Sequence, residues 1–238
     1  ASPASFGALV RGIPLFIHEQ NGVTGRLNAI LRPYAKGFFS SFDPHSFCKD
    51  YPVREEFFSH ARVRTSLKTI IFLGGSQGAK GINDFALALA PLLTQKGVAI
   101  IHQAGKNELE RVTNAYESMG IKADIFPFDT DIVKRYEKAD FAVSRAGASA
   151  LFELMANGLP TLFVPYPYAA GDHQMANAMF VVDQHLGSVC RENALSLEAV
   201  LDYCDKDLSA MSKGLQDAIH PNGAKCMTQK IVEILKGV

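Results

Sequence analysis

The run Gly74-Gly75-Ser76-Gln77-Gly78 follows directly on the apolar stretch KTIIFL and precedes a helical pattern. A glycine-rich turn between a strand and a helix aims backbone N–H groups and the positive helix end at one point, where a phosphate can sit. Ser76 adds a hydroxyl donor. Each charge-assisted hydrogen bond contributes ~1.5–3 kcal/mol and a helix end ~0.3–1 kcal/mol, so several together give micromolar affinity for a nucleotide diphosphate. A plain tight turn is the bland alternative. The run is not the dinucleotide fingerprint, because Ser76 and Ala79 take its second and third glycine positions and no acidic residue ends the next strand. The same five residues match G-x-S-x-G, which would make Ser76 the nucleophile of a serine hydrolase. That alternative lacks an upstream oxyanion loop and a well-placed Asp-then-His pair at separate strand ends downstream, since Asp172 and His173 are adjacent in sequence.

Two further turns carry candidate chemistry. Ser144-Arg145-Ala146-Gly147-Ala148-Ser149-Ala150 presents small residues to an approaching ligand, and Glu153 follows in the first turns of the next helix. A carboxylate there can accept two hydrogen bonds from a ribose diol, or simply be a favourable charge near a helix N-terminus. Downstream, Pro165–Gln174 enters HQMANA, whose Gln174 and Asn177 lie three apart on one helical face. Paired amides suit sugar hydroxyls, since each offers donors and an acceptor. Asp172 also reads as the N-cap of that helix. Asp129-Thr130-Asp131 mimics a D-x-D metal site, but a helical run follows, so capping by Asp131 explains it and no metal is expected.

The elements that must position these residues are legible as alternation. KTIIFLGG, VAIIHQAG, ADIFPF, ADFAVSRAG, PTLFVPYP and a weaker GSVCRE read as strands, separated by helical patterns such as NDFALALAPLLTQ and ALFELMANG. That order predicts an α/β fold with a doubly wound parallel sheet. Helical patterns near 196–206, 207–219 and 222–236 close it without a further strand. Upstream, IPLFIHEQ and AKGFFSSF read as strands flanking the helix GRLNAILRPY, so residues 1–45 look like the end of another α/β domain. Residues 46–65 are then a linker and 66–238 the ligand-binding domain. Arg26, Arg32 and Lys36 on the GRLNAILRPYAK stretch could face anionic lipid or form a solvated face.

Composition bounds the function. Lys+Arg and Asp+Glu each total 24 in 238 residues, with no long basic tract, so nucleic acid is not an expected partner. Cys48, Cys190, Cys204 and Cys226 lack C-x-x-C spacing, which argues against a zinc site or a disulfide framework and for a reducing compartment. The most apolar stretch, FGALVRGIPLFI, is interrupted by Arg11 and Pro14 and falls short of the ~20 residues of a spanning helix.

Five ordered motifs carry a family resemblance: HEQN at His18–Asn21, YPVR at Tyr51–Arg54, GGSQGA at Gly74–Ala79, SRAGA..LFE at Ser144–Glu153 and GLPTLFVPYP…DHQMANA at Gly158–Ala178. In register over nearly the whole chain, they resemble the MurG family of UDP-N-acetylglucosamine transferases of peptidoglycan synthesis. The resemblance implies a GT-B type glycosyltransferase, inverting and metal-independent. It would move GlcNAc from UDP-GlcNAc to undecaprenyl-diphospho-MurNAc-pentapeptide (lipid I) to form lipid II, with no cofactor, as a peripheral protein on the cytoplasmic side of the inner membrane.

Carried over, Ser76 would meet the diphosphate within the Gly74, Gly75, Gln77, Gly78 turn, and Arg54 would approach it. Asp129 would contact uracil through its backbone, where an apolar residue is expected. Ala148, Ser149, Ala150, Leu151 and Phe152 would line the donor with backbone amides, and Glu153 would hold the ribose. Gln174 and Asn177 would read the sugar, and Asn21 would reach in from the N-terminal domain. The family's N-terminal glycine-rich loop with its histidine has no counterpart here. The chain is therefore expected to begin late in that domain and, alone, to bind donor weakly and turn over poorly. His18 is the remaining candidate base, with a packed strand-end histidine as the alternative. Retaining relatives and epimerases with E-x7-E are disfavoured, since Arg145 and Thr161 stand eight residues either side of Glu153.

Overall fold

A computed structural model of the protein describes residues 2–237. The chain opens with α1 (Ser2–Val10), β1 (Phe16–Glu19), α2 (Arg26–Leu31), β2 (Gly37–Ser40) and α3 (Glu55–Ser59). It then alternates β3 (Thr69–Leu73), α4 (Lys80–Gln95), β4 (Ala99–Gln103), α5 (Leu109–Ser118), β5 (Asp124–Phe126) and α6 (Val133–Lys138). The second half follows as β6 (Phe141–Ser144), α7 (Ala148–Ala156), β7 (Thr161–Phe163), α8 (His173–Val182), β8 (Ser188–Val189), α9 (Glu198–Leu201), α10 (Ser209–Asp217) and α11 (Gly223–Lys236).

Six strands form one parallel sheet in the order β5-β4-β3-β6-β7-β8, and β1 pairs with β2 in a separate parallel pair. The strands are near-continuous apolar runs because helices cover both faces. Alternate residues of β3 enter opposite layers: Ile70 and Phe72 pack with Ile82, Phe85 and Leu89 of α4, whereas Ile71 and Leu73 pack with Leu151 and Met155 of α7. The chain winds outward from β3 to β5, then returns to place β6 on the other side of β3. The turns after β3 and β6 therefore emerge side by side at the switch point, where open α/β sheets bind ligands.

The segment 46–65, expected as a linker, packs tightly onto this sheet. Phe57 of α3 and Arg64 are wholly buried. Arg64 donates to the carbonyls of Arg62, Tyr136, Ala139 and Asn157 and to Asn157 Oδ1. Asn157 in turn donates to the carbonyls of Phe57 and His60. Burial pulls the Arg64 pKa down to about 9, but with its donors spoken for the guanidinium serves as a charged core bracket.

The cysteine expectation is corrected. Cys48 and Cys226 form a disulfide, with Cα atoms 5.9 Å apart across 178 residues of sequence. The cause is tertiary: α11 returns across β2, where Phe39, Cys48 and Met227 share a small core, and no local spacing reports that approach. Cys190 and Cys204 remain free. Among the described residues no helix is long and apolar enough to cross a membrane.

Candidate functional site

The β3–α4 turn is built so that only glycine fits at its key positions. Gly74 N–H donates to Gln103 O at 3.2 Å, and Gly75 N–H donates to Gln103 Oε1 at 3.2 Å. A Cβ on Gly74 would lie 3.0 Å from both Ala79 N and Gln103 O; one on Gly78, at φ +94°, would lie 2.7 Å from Ala104 O. Ser76 and Gln77 are left exposed at the tip, and among the described residues neither N–H nor the Ser76 hydroxyl has a hydrogen-bond partner. The first N–H groups of α4 are open as well.

A buried polar chain fixes this turn from beneath. Asn83 Nδ2 donates to Ala104 O at 3.0 Å, so its Oδ1, 3.0 Å from His102 Nε2, must accept from that nitrogen. His102 Nδ1 is then bare and accepts from the Tyr116 hydroxyl at 3.0 Å. Burial drives the imidazole pKa down to about 3 and the phenol pKa up, so both stay neutral and the relay does not titrate near neutrality.

Beside it, β6 delivers the second turn. Gly147 is the N-cap of α7 and supplies no side-chain cap, which leaves the N–H groups of Ala148, Ser149 and Ala150 open. The amide of Leu151 already donates to Gly147 O at 2.9 Å, and the side chains of Leu151 and Phe152 lie in the core. Glu153 is partly buried, and its carboxyl group has no hydrogen-bond partner among the described residues. Its burial pushes the carboxyl pKa up to about 7, while the nearby Arg54 opposes the shift.

A cleft of about 490 Å³ joins these turns, and Arg54, Gly75, Ser76, Asp129, Ser149, Ala150 and Glu153 all line it. The structure thus gathers seven of the sequence-derived candidates. Tyr51 OH lies 3.3 Å from Ser149 Oγ, tying the Arg54 segment to α7. The Asp129 carboxylate is held by Arg135 and accepts from Asp131 N–H, so its side chain is engaged within its own loop. Asp131 does not cap α6 as expected: Ile132 holds the N-cap position, and Asp131 instead pairs with Lys134 at 2.5 Å. Asp172 does precede α8, but at φ +52° its carboxylate makes no cap and pairs with Arg191 at 2.7 Å.

Gly74, Gln77, Gly78, Ala148, Leu151 and Phe152 flank this cleft in sequence without lining it, and Gln174, Asn21, Asn177 and His18 lie outside it. Gln174 lines an adjoining pocket of about 310 Å³ with Gly74, Gly78 and Arg145, and its Oε1 accepts from Tyr166 N–H at 2.8 Å. Asn21 lines a cleft of about 660 Å³ with Glu19, Asn28 and His173. Asn177 is wholly buried. His18 sits in β1 with its ring tilted 5.6 Å from Tyr51, its Nε2 buried without a hydrogen-bond partner and its pKa lowered by burial. No histidine lines the Ser76 cleft among the described residues, so Ser76 has no base and the hydrolase alternative is left unsupported. Among the described residues no group of three or more His, Cys, Asp or Glu is placed to hold a metal.

Gln103, Phe128 and Arg145 are among the lining residues to which the sequence reading gave no role. A polar residue closing the buried run AIIHQ, an aromatic 51% exposed just after β5, and a charge amid small residues were the available signals. Arg145 donates to the carbonyls of Val164 and Pro165, pairs with Glu192 at 2.5 Å and stands between the Ser76 cleft and the Gln174 pocket.

Residues 69–230 match the Glycosyltransferase family 28 C-terminal domain, which places the fold and its paired turns among the GT-B glycosyltransferases. Over 232 residues the chain is 52% identical to the UDP-N-acetylglucosamine–N-acetylmuramyl-(pentapeptide) pyrophosphoryl-undecaprenol N-acetylglucosamine transferase of Wolinella succinogenes, covering 98% of this chain and 69% of that protein. The enzyme of the same name from Helicobacter hepaticus is 48% identical over 246 residues, covering 99% of this chain and 70% of that protein. The crystal structure of Acinetobacter baumannii MurG superposes with a TM-score of 0.76 at 30% identity, covering 99% of this chain and 70% of that one. The chain belongs to the MurG family of N-acetylglucosamine transferases.

Proposed function

We propose that the protein transfers GlcNAc from UDP-GlcNAc to lipid I, forming lipid II. The observation that carries this reading is the cleft in which the open N–H groups of the 74–78 turn and of α7 converge beside Glu153. The donor diphosphate lies across Ser76 and the N–H groups of Ala148–Ala150, the ribose diol donates to Glu153, and uracil meets the main chain at Asp129. The GlcNAc ring extends past Arg145 toward Gln174, on the side from which Asn21 approaches.

In the transfer, the acceptor hydroxyl attacks the anomeric carbon from the face opposite UDP and gives up its proton to water, the bond to the diphosphate oxygen breaks, and negative charge grows on the leaving UDP. Two helix ends, Ser76 and Arg54 would meet that charge, which supports a transfer that needs no metal. Preorganised donors of this kind are worth ~3–4 kcal/mol each in the transition state. Attachment to the cytoplasmic membrane face is supported by the exposed Ile30 and Tyr34 on and after α2, near Arg26 and Lys36; Arg32, by contrast, is paired with Asp43.

Calorimetric titration of UDP, UDP-GlcNAc and ADP tests the donor assignment. Uridine nucleotides should bind selectively, and Glu153→Ala should weaken UDP by about 1–3 kcal/mol, the scale of lost charged hydrogen bonds. Equal affinity for ADP and UDP would sink it.

A further inference from the structure

The side-chain amide of Asn177 is fully engaged, and its partners lie on two different walls. Its Oδ1 accepts from Gly22 N–H at 2.7 Å, and its Nδ2 donates to Asn21 Oδ1 at 3.2 Å and to Ala146 O at 3.0 Å. Asn21 and Gly22 belong to the loop after β1, which walls the 660 Å³ cleft opposite Gly171 and His173. Ala146 belongs to the turn that starts α7 and presents the donor-side amides.

The loop is fitted to this arrangement. A Cβ on Gly22 would lie 3.2 Å from the carbonyl of Ala176, so the chain lies flat on α8 and a larger residue would lift it. From the other side the buried Glu19 carboxylate accepts from Asn21 N–H at 3.1 Å, Gly25 N–H at 2.8 Å and Asn28 Nδ2 at 2.8 Å. Asn21 is thereby held between Glu19 and Asn177. The residue type matters: an amide accepts on oxygen and donates twice from nitrogen, whereas a carboxylate at 177 could keep the Gly22 bond but neither donation.

We propose that Asn177 is a positioning residue that couples the donor turn to the 21–25 loop, so that donor binding sets the wall of the neighbouring cleft. The inference rests on the donor reading given above. A diphosphate bonded to the N–H groups of Ala148–Ala150 restrains the turn and with it the Ala146 carbonyl. Asn177 then has one fixed partner already in place, and ordering Asn21 and Gly22 against it costs less entropy. The coupling works equally in reverse.

Hydrogen exchange read by mass spectrometry on the whole chain, with and without saturating UDP, tests this. Wild type should show exchange across residues 20–25 slowed at least about fivefold by UDP, the lower end of coupling between sites. Asn177→Asp and Asn21→Ala, each saturated with UDP as verified by calorimetry, should lose that protection. Undiminished protection in both Asn177→Asp and Asn21→Ala overturns the coupling, as does a wild type that binds UDP with the loop unchanged. A wild type that binds no UDP overturns the donor reading, and the coupling falls with it. Should Asn177→Asp fail to fold by thermal melting, Asn21→Ala alone decides, undiminished protection in it overturning the coupling.

Discussion

Tyr51 lies face to face with Phe152, ring centroids 4.4 Å apart and planes 11° from parallel. The stack clamps an extended segment to α7 and so brings Arg54 to the same cleft as Glu153. Tyr51→Leu keeps the bulk but loses the stack and the hydroxyl contact, and it should lower stability by about 1–2 kcal/mol. UDP-GlcNAc affinity should fall with it because Arg54 loses its mount, whereas Tyr51→Phe should change each by less than about 1 kcal/mol. Urea denaturation and calorimetry read the two effects separately.

Glu153 makes both stability and binding depend on pH. Its folded pKa of about 7 lies above the ordinary carboxylate value, so its favourable contribution is complete in acid and is lost as pH rises through 7. Glu153→Gln should leave stability near pH 4 unchanged and raise it at pH 8 by about 1–3 kcal/mol. Donor binding runs the opposite way, because a ribose diol donates to the ionised form. UDP-GlcNAc, whose diphosphate does not titrate near neutrality, should bind up to about tenfold tighter at pH 8 than at pH 6, and Glu153→Gln should flatten that slope.

Gly105 and Gly97 separate close approach from backbone conformation. Both have positive φ, +79° and +72°, yet a Cβ on Gly105 would lie 2.1 Å from Gly78 N, while one on Gly97 meets nothing within 4 Å. Gly97→Ala should cost about 1 kcal/mol and leave UDP binding intact. Gly105→Ala must push the phosphate turn aside, costing at least about 2 kcal/mol and reducing UDP affinity by more than tenfold. Loss of UDP binding in both variants would refute the distinction.

The Cys48–Cys226 bridge should be visible as reductant sensitivity. Reduction, or Cys48→Ser in the absence of reductant, should lower stability by about 2–4 kcal/mol. A melting temperature that is the same with and without dithiothreitol would argue against any contribution from the bridge.

The strands were legible because doubly covered strands are apolar without interruption, as IIFL and FAV are, and the glycine turns because their spacing follows from steric need. The two-residue β8 was barely legible, since its extent is set by pairing with β7 rather than by its own composition. Phe57 and Arg64 read as part of a linker because a five-residue helix and a lone arginine announce no core position; Phe57 is buried by distant core residues such as Tyr136, and Arg64 by carbonyls 72 to 93 residues away. Gln174 and Asn177 looked like a matched pair on one helix face. Only the fold reveals that one amide borders a pocket while the other is enclosed.

The return of α11 over β2 also sets an order of events during synthesis. Phe39 and Cys48 leave the ribosome well before Met227 and Cys226, which share their small core. The β1–β2 pair must therefore wait for the whole intervening sheet to be translated before its cover arrives. At ~5–20 residues per second that interval is roughly 10–35 s, long enough for a nascent chain to need protection at this site.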